Sequence, residues 1–207
     1  MEDTVDIAKH EKYHQLKSYI PGENPKTTKQ KSETWFKIRN RSSVTGSTCY
    51  TALGQGKLKN MQVHYDRVKT GIDNFQFTEA LISNMNYGTS HEIDAIATVV
   101  ARVLPSMFSD LDYFEEVCTP IPEAHNSLFM VVSPDCSLRV SQTNCPKMMF
   151  ETKCKVENTY STPVCYEIPR YYIPQVLCEM ACCDCDELRY ACYVLEQYFN
   201  NGILSNV

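Results

Sequence analysis

The chain has 207 residues, 43% of them apolar and 22% charged, with a formal net charge of −5. That composition suits one globular domain with a sizeable core and excludes a disordered chain. No apolar run is long enough to cross a bilayer, and the opening stretch MEDTVDIAKHEKYH lacks the apolar core of a signal peptide.

The net charge hides an asymmetry. Residues 9–69 hold 13 Lys or Arg against 4 acids, a net of +9, whereas residues 70–207 hold 7 against 18, a net of −11. A basic front and an acidic back suit a protein that grips a polyanion with one part and gathers carboxylates in another, although charge runs also arise as plain solvated faces. The eleven Cys are an odd number at too low a density for a small disulfide scaffold. With no export signal, they point to a reducing intracellular compartment, nucleus or cytoplasm. Cys118, Cys154 and Cys192 fall in apolar segments and read as small core hydrophobes.

In chain order, residues 5–20 read as a weak helix and PGENPKTTKQKS, residues 21–32, as a polar loop. Residues 33–41 predict a short helix with Trp35 and Ile38 on one side. In SSVTGSTCYTALG, Ser47 is placed to cap a helix from Thr48 that stops at Gly54. Residues 55–74 are polar and poorly patterned. YGTSHEIDAIATVVARVL, residues 87–104, is the clearest helix, because Ile93, Ile96, Ala97, Val100 and Leu104 make one stripe before Pro105. Glu92 lies at the N-terminal end of that stripe, which turns an acid toward the interior or a cleft. YFEEVCTPI, SLFMVVSPD and KMMFETKC then read as three strands, residues 167–183 as a helix and LRYACYVL, residues 188–195, as a last strand. Helices, strands, a helix and a strand in that order predict a layered α/β or α+β domain with a mixed sheet.

KMMFETKC carries the chemistry. Residues two apart on a strand share a face, so Glu151 and Lys153 leave an apolar strand side by side. Asp135 follows the preceding strand. If those two strands pair as a hairpin, Asp135 and Glu151 come within reach of one cation. A hard cation such as Mg²⁺ takes one or two carboxylates plus water, and the carbonyl of Thr152 would add a ligand. Such an ion serves phosphodiester hydrolysis by polarising a phosphate oxygen and acidifying a water, with Lys153 serving the nucleophile. The plain alternative is a cross-strand salt bridge on a solvated face, with Asp135 a turn residue.

Ser133-Pro134-Asp135 followed by Glu151-Thr152-Lys153 resembles the PD-(D/E)xK nuclease superfamily. More narrowly, the chain is similar to its lambda-exonuclease or YqaJ-type viral recombinase branch. Trp35, Arg39 and Val44-Thr45-Gly46-Ser47 match that branch's early motif, Gly88 to Glu92 its helical Gly and Glu, and Tyr172 to Met180, with Gln175, its late helix. The motifs run from Trp35 to Leu195. The resemblance implies a restriction-endonuclease-like core, a central mixed β-sheet flanked by helices, over residues 33–207, with residues 1–32 an N-terminal extension. It implies a Mg²⁺- or Mn²⁺-dependent exonuclease that trims double-stranded DNA from 5′ ends, feeds a single-strand annealing protein in recombination, and assembles as a homo-oligomeric ring such as a trimer. Glu92, Asp135, Glu151 and Thr152 would then bind metal, and Gln175 would position water or phosphate. Trp35, Arg39 and Ser47 would hold the 5′-phosphate; Arg41 competes with Arg39, because one extra residue separates Arg39 from the Val44–Ser47 element. An acid that some relatives carry ahead of the Pro-Asp strand has only Glu123 and His125 as near matches.

CEMACCDC packs Cys178, Cys182, Cys183 and Cys185 into eight residues. Some nucleases of the superfamily carry a four-Cys iron–sulfur cluster, for which Cys49 would be the upstream partner. The divergent directions of these thiols on a helix argue against one. Rival functions are a DNA or RNA endonuclease of the same superfamily and a non-catalytic nucleic-acid-binding relative.

Overall fold

The computed structural model describes residues 6–15, 28–122, 128–155 and 167–194. Residue 5, residues 16–20, most of the loop before 28, Glu123, His125 and Leu195 lie outside these ranges. Strands β1 (Tyr13–His14), β3 (Leu111–Glu115), β6 (Cys136–Val140), β7 (Pro146–Lys155) and β8 (Leu188–Val194) form one sheet in the order β1-β3-β6-β7-β8. The two outer pairs are parallel and the two inner pairs antiparallel, so the sheet is mixed, as expected. A smaller sheet, ordered β2-β5-β4, joins Val44–Thr45, Leu128–Val132 and Thr119–Pro122. Helices α1 (Glu33–Arg41), α2 (Cys49–Ala52), α3 (Leu58–Thr70), α4 (Glu79–Thr98), α5 (Leu104–Met107) and α6 (Ile173–Cys182) complete the described residues. Among these, no helix is long and apolar enough to cross a membrane.

The main core sits between one face of the large sheet and the long helix. Val99, Val100 and Leu104 pack against Leu111, Tyr113, Cys136, Leu138, Met148 and Phe150. A second core joins Ile38 to Cys118 and Val131, with Trp35 against it, and docks α1 on the small sheet. Ser32 starts α1 by accepting a hydrogen bond from the Trp35 N–H at 3.2 Å, and Arg39 and Arg41 complement the helix dipole at its other end.

Several expectations change. Within 6–15 there is no weak helix but a 3-10 turn at Ile7–Lys9 and then β1, because Tyr13 pairs with Tyr113 at the sheet edge. Ser47 is not a cap: it lies inside a 3-10 turn, Gly46–Thr48, whose capping box is made by Thr45 and Thr48. The unpatterned stretch contains α3, a helix that buries none of its residues and so carries no core stripe. The long helix begins at Glu79, and Pro105 does not end it. A π-helical turn at Val99–Val103 re-phases the chain so that Pro105 enters the first turn of α5, where its missing N–H costs nothing. Ile93 is consequently exposed, while Val100 and Leu104 are fully buried.

The expected three strands are five. YFEEVCTPI breaks into β3 and β4, and CSLRV, unassigned from sequence, is β6. The strand ahead of Asp135 therefore does not form a hairpin with the Glu151 strand. It is β5, in the other sheet, and β6 is what pairs with β7, Cys136 opposite Phe150.

The edge strand is held by charge. Asp112 accepts from Ser141 Oγ at 2.7 Å and from Lys12 Nζ at 3.3 Å, and its other oxygen lies 3.1 Å from His14 Nε2. Burial pushes this carboxyl up, but the three hydrogen bonds together outweigh it and leave the net shift downward. A depressed folded pKa adds stability that is complete above the unfolded value, about 4, and lost as pH falls through the folded one. Asp112→Asn should therefore cost about 1–3 kcal/mol at neutral pH. In urea titrations the gap to wild type should hold above about pH 4 and close below it.

Candidate active site

Asp135 and Glu151 meet through their own backbones. The Asp135 N–H donates to Glu151 Oε2 at 3.3 Å, and the Thr152 N–H donates to Asp135 Oδ2 at 2.7 Å. This exchange works because Asp135 stands at the head of β6, beside the middle of β7. Gln30 braces the same turn by donating to the Pro134 carbonyl at 2.6 Å.

Glu151 is 1% exposed. Its Oε1 accepts from the Lys153 ammonium and from Gln175 Nε2, the latter at 2.8 Å. The Lys153 ammonium also lies 5.4 Å from the Tyr172 ring centroid, a cation–π distance. Gln175 Nε2 makes a second 2.8 Å bond to Oε1 of Glu179, one helical turn on in α6. Glu179 is 1% exposed, and its Oε2 has no hydrogen-bond partner among the described residues.

A cleft of about 300 Å³ opens on this group and is lined by Asp135, Glu151, Lys153, Gln175 and Glu179 together with Arg39 and Ser47. Arg39 donates to Ser47 Oγ at 3.0 Å, and its guanidinium stacks 4.4 Å from the Trp35 ring centroid. Trp35 is fixed in turn by its indole N–H, which donates to Ser133 Oγ at 2.9 Å. A second cavity of about 120 Å³ lies beyond Asp135 and is lined by Lys31, Glu92, Glu115 and Glu116 among others. Asp135 and Gln30 line both cavities.

The crowding of acids shows in their protonation. Burial, and then repulsion from Glu151, push the Asp135 carboxyl up to about 8 against the pull of Lys153. Burial raises Glu151 to about 7, with Lys153 opposing and Glu179 adding to the rise. Burial likewise raises Glu179 to about 7, opposed by the Gln175 hydrogen bond. For Lys153, burial pulls downward, but Glu151 and Asp135 overcome it and hold the ammonium above the ordinary lysine range.

The structure thus brings Asp135, Glu151, Lys153 and Gln175 together, with Arg39 and Ser47 lining the same cleft. Glu92 does not face that cleft; it reaches Asp135 through the second cavity and pairs with Lys31. Arg41 is exposed and lines neither cavity. Thr152 takes part through its N–H, and Trp35 through its support of Arg39. Sequence reading missed Glu179, Gln30, Lys31 and Glu116. The i, i+4 spacing of Gln175 and Glu179 on one helix face was the available signal. Glu116 accepts from Arg139 Nη2 at 2.8 Å and lines the second cavity.

The donor set fits a hard cation. Two carboxylates whose protons are held on mainly by burial and mutual repulsion would ionise beside a divalent ion, and Mg²⁺ asks for no more than one or two protein carboxylates. Among the described residues no group of three or more His, Cys, Asp or Glu forms a ready metal cage. In the cysteine-rich segment, Cys178 Sγ lies 3.6 Å from Cys49 Sγ.

The comparisons with known proteins agree with this layout. No curated protein matches the sequence. Among solved structures, the chain is similar to LHK-Exo, crystallised in complex with dAMP, at 20% identity and a TM-score of 0.53, over 78% of this chain and 74% of that one. At that identity the likeness speaks for the fold alone, a mixed sheet flanked by helices. Residues 34–186 match the model of the YqaJ-like viral recombinase domain, and the chain belongs to that family.

Proposed function

We propose that the protein is a metal-dependent deoxyribonuclease, a 5′-to-3′ exonuclease acting on double-stranded DNA ends in recombination or in the processing of viral or mobile-element DNA. One observation carries this reading: the Asp135, Glu151 and Lys153 group opens on the same cleft as the Arg39–Ser47 pair. Arg39 offers a flat fork for a terminal phosphate, pre-aimed by its stacking on Trp35 and its bond to Ser47. Asp135 and Glu151, with the carbonyl of Thr152, would hold Mg²⁺ or Mn²⁺, with Glu92 reaching it from the side of the second cavity. When bound, that ion supplies a polarised phosphate oxygen and an acidified water. Lys153 orients the attacking water and offsets charge that builds on the phosphate. Gln175 keeps Glu151 aimed, since both of its amide hydrogens are spent on carboxylates.

Residues 33–207 form the catalytic domain in this reading, and residues 1–32 an extension. A ring of subunits around DNA, a single-strand annealing partner and a reducing nuclear or cytoplasmic setting follow from the same reading. Endonuclease action would appear as nicking of closed circles.

The acids give a prediction in the metal-free state. Folded pKa values of about 7 and 8 for Glu151 and Asp135 stand above unfolded values near 4. The folded chain then holds extra protons across that window, so the stabilisation present at low pH is lost as pH rises through 7 and 8. In EDTA the thermal midpoint should fall from pH 5 to pH 8, and Mg²⁺ or Mn²⁺ should restore more of it at pH 8 than at pH 5. Asp135→Asn should flatten the decline and remove most of the metal's effect. A flat profile for wild type in EDTA would count against both buried acids.

Activity is read on linear duplex DNA with 5′-phosphate or 5′-hydroxyl ends, with a closed circle as control. Loss of the 5′-ended strand should require Mg²⁺ or Mn²⁺. Asp135→Ala and Lys153→Ala should each lower the rate by about a hundredfold or more. Arg39→Ala should abolish the preference for the phosphorylated end while leaving slow cleavage. Full metal-dependent cleavage by Asp135→Ala would defeat the assignment.

A further inference from the structure

Glu179 is not needed to explain the proposed chemistry so far, yet it is among the most deeply buried charged side chains described. Its two oxygens have different fates. Oε1 accepts from the Gln175 amide, whose other N–H goes to Glu151. Oε2 is buried with no partner among the described residues, and Glu179 is one of the residues that line the cleft. A buried carboxylate oxygen without a donor is costly, and native structures retain such a group where something else supplies the donor. The surroundings narrow what that is. A methyl at Gly46 would meet Glu179 Oε1 and Gln175 Cγ at 3.4 Å each, so the 3-10 turn leaves room on that side for no more than a methyl group. The open side is the cleft, which Glu179 shares with Glu151 and Lys153. A terminal phosphate brings acceptors, not donors. A hydrated divalent cation brings water O–H groups, polarised toward an anion.

We propose that Glu179 is the outer-sphere carboxylate of the cation site: Oε1 anchors the Gln175 amide that aims Glu151, and Oε2 accepts a hydrogen bond from a water of the bound, hydrated divalent cation. This rests on the metal-dependent reading above. Glu179 is a positioning residue in this role, acting through Gln175 and through a water. Its orphaned oxygen is the strain that the metal-free chain carries and the hydrated ion relieves.

The test uses the full chain without DNA. Mn²⁺ binding is measured by titration calorimetry, and thermal midpoints are measured in EDTA, for wild type, Glu179→Gln and Glu179→Met. Glu179→Gln keeps the shape and removes the charge; Glu179→Met also removes the polar atoms, in case a buried amide there disturbs folding. Both variants should bind Mn²⁺ about tenfold more weakly or worse, as loss of an outer-shell partner does. At least one should melt in EDTA at or above the wild-type temperature, because an unpaired buried charge has gone. Mn²⁺ affinity within about twofold of wild type in a folded variant would overturn the proposal. Weaker binding accompanied by lower metal-free midpoints in both variants would overturn it too, by making Glu179 a packing residue. If wild type itself showed no saturable Mn²⁺ binding, both this inference and the metal-dependent reading would fall.

Discussion

The contact between the Asp135 turn and the middle of β7 is the constraint on which the rest of the site depends. Two carboxyl groups are brought together where water is scarce, and each is steadied by the other residue's stretch of backbone. Among the described residues that line the cleft, three carboxyl groups face Lys153, since Arg39 turns toward Ser47. A lone ammonium cannot neutralise three carboxylates. The folded chain answers partly by retaining protons on them, which is the physical meaning of their raised pKa values. A site built this way is poised rather than satisfied, and poise of this kind is common where charge must be taken up later.

The scaffold explains how such a group survives in a stable fold. On β7, Met148 and Phe150 enter the main core, while Glu151 and Lys153 alternate onto the other side, under α6. The apolar face does the holding. Burial of Met148, Phe150, Leu138 and Cys136 against the long helix and its π-turn pins the register of β6 against β7. A slip of one residue would send Glu151 into the core and Phe150 into the cleft. Register and active-site geometry are therefore one property, set by the same side chains.

What the sequence made legible follows from that alternation. Glu151 and Lys153 stood out because two charges interrupt an apolar run at a spacing that shares a face, and this is local information. The helix over residues 87–104 was legible for the same reason. Three things were not. The α3 helix buries nothing, so burial leaves no stripe to read. The π-turn adds a residue of phase that no regular period anticipates. The route from Asp135 to Glu151 is topological: β5 belongs to another sheet, and β6, although Cys136, Leu138 and Val140 alternate with Ser137 and Arg139, is only five residues long and starts directly after Asp135. Proximity in sequence suggested the right pair of acids by the wrong pairing of strands. Glu179 was hidden differently, since an acid in a helix rich in Cys and Met reads as a solvated residue until its neighbours are known.

The seam at Gly46 joins the two halves of the cleft. The turn that carries Ser47 lies so close to Gln175 and Glu179 that a methyl group would touch both. The same Gln175 side chain grips Glu151. The proposed phosphate-binding residues and the proposed cation ligands are therefore linked by a single layer of side chains. Such a layer transmits small displacements, because packed interiors have little compressibility. A phosphate drawn against Arg39 and Ser47 would press through Gly46 on the clamp that sets Glu151. The glycine at position 46 is what lets the two parts come so close.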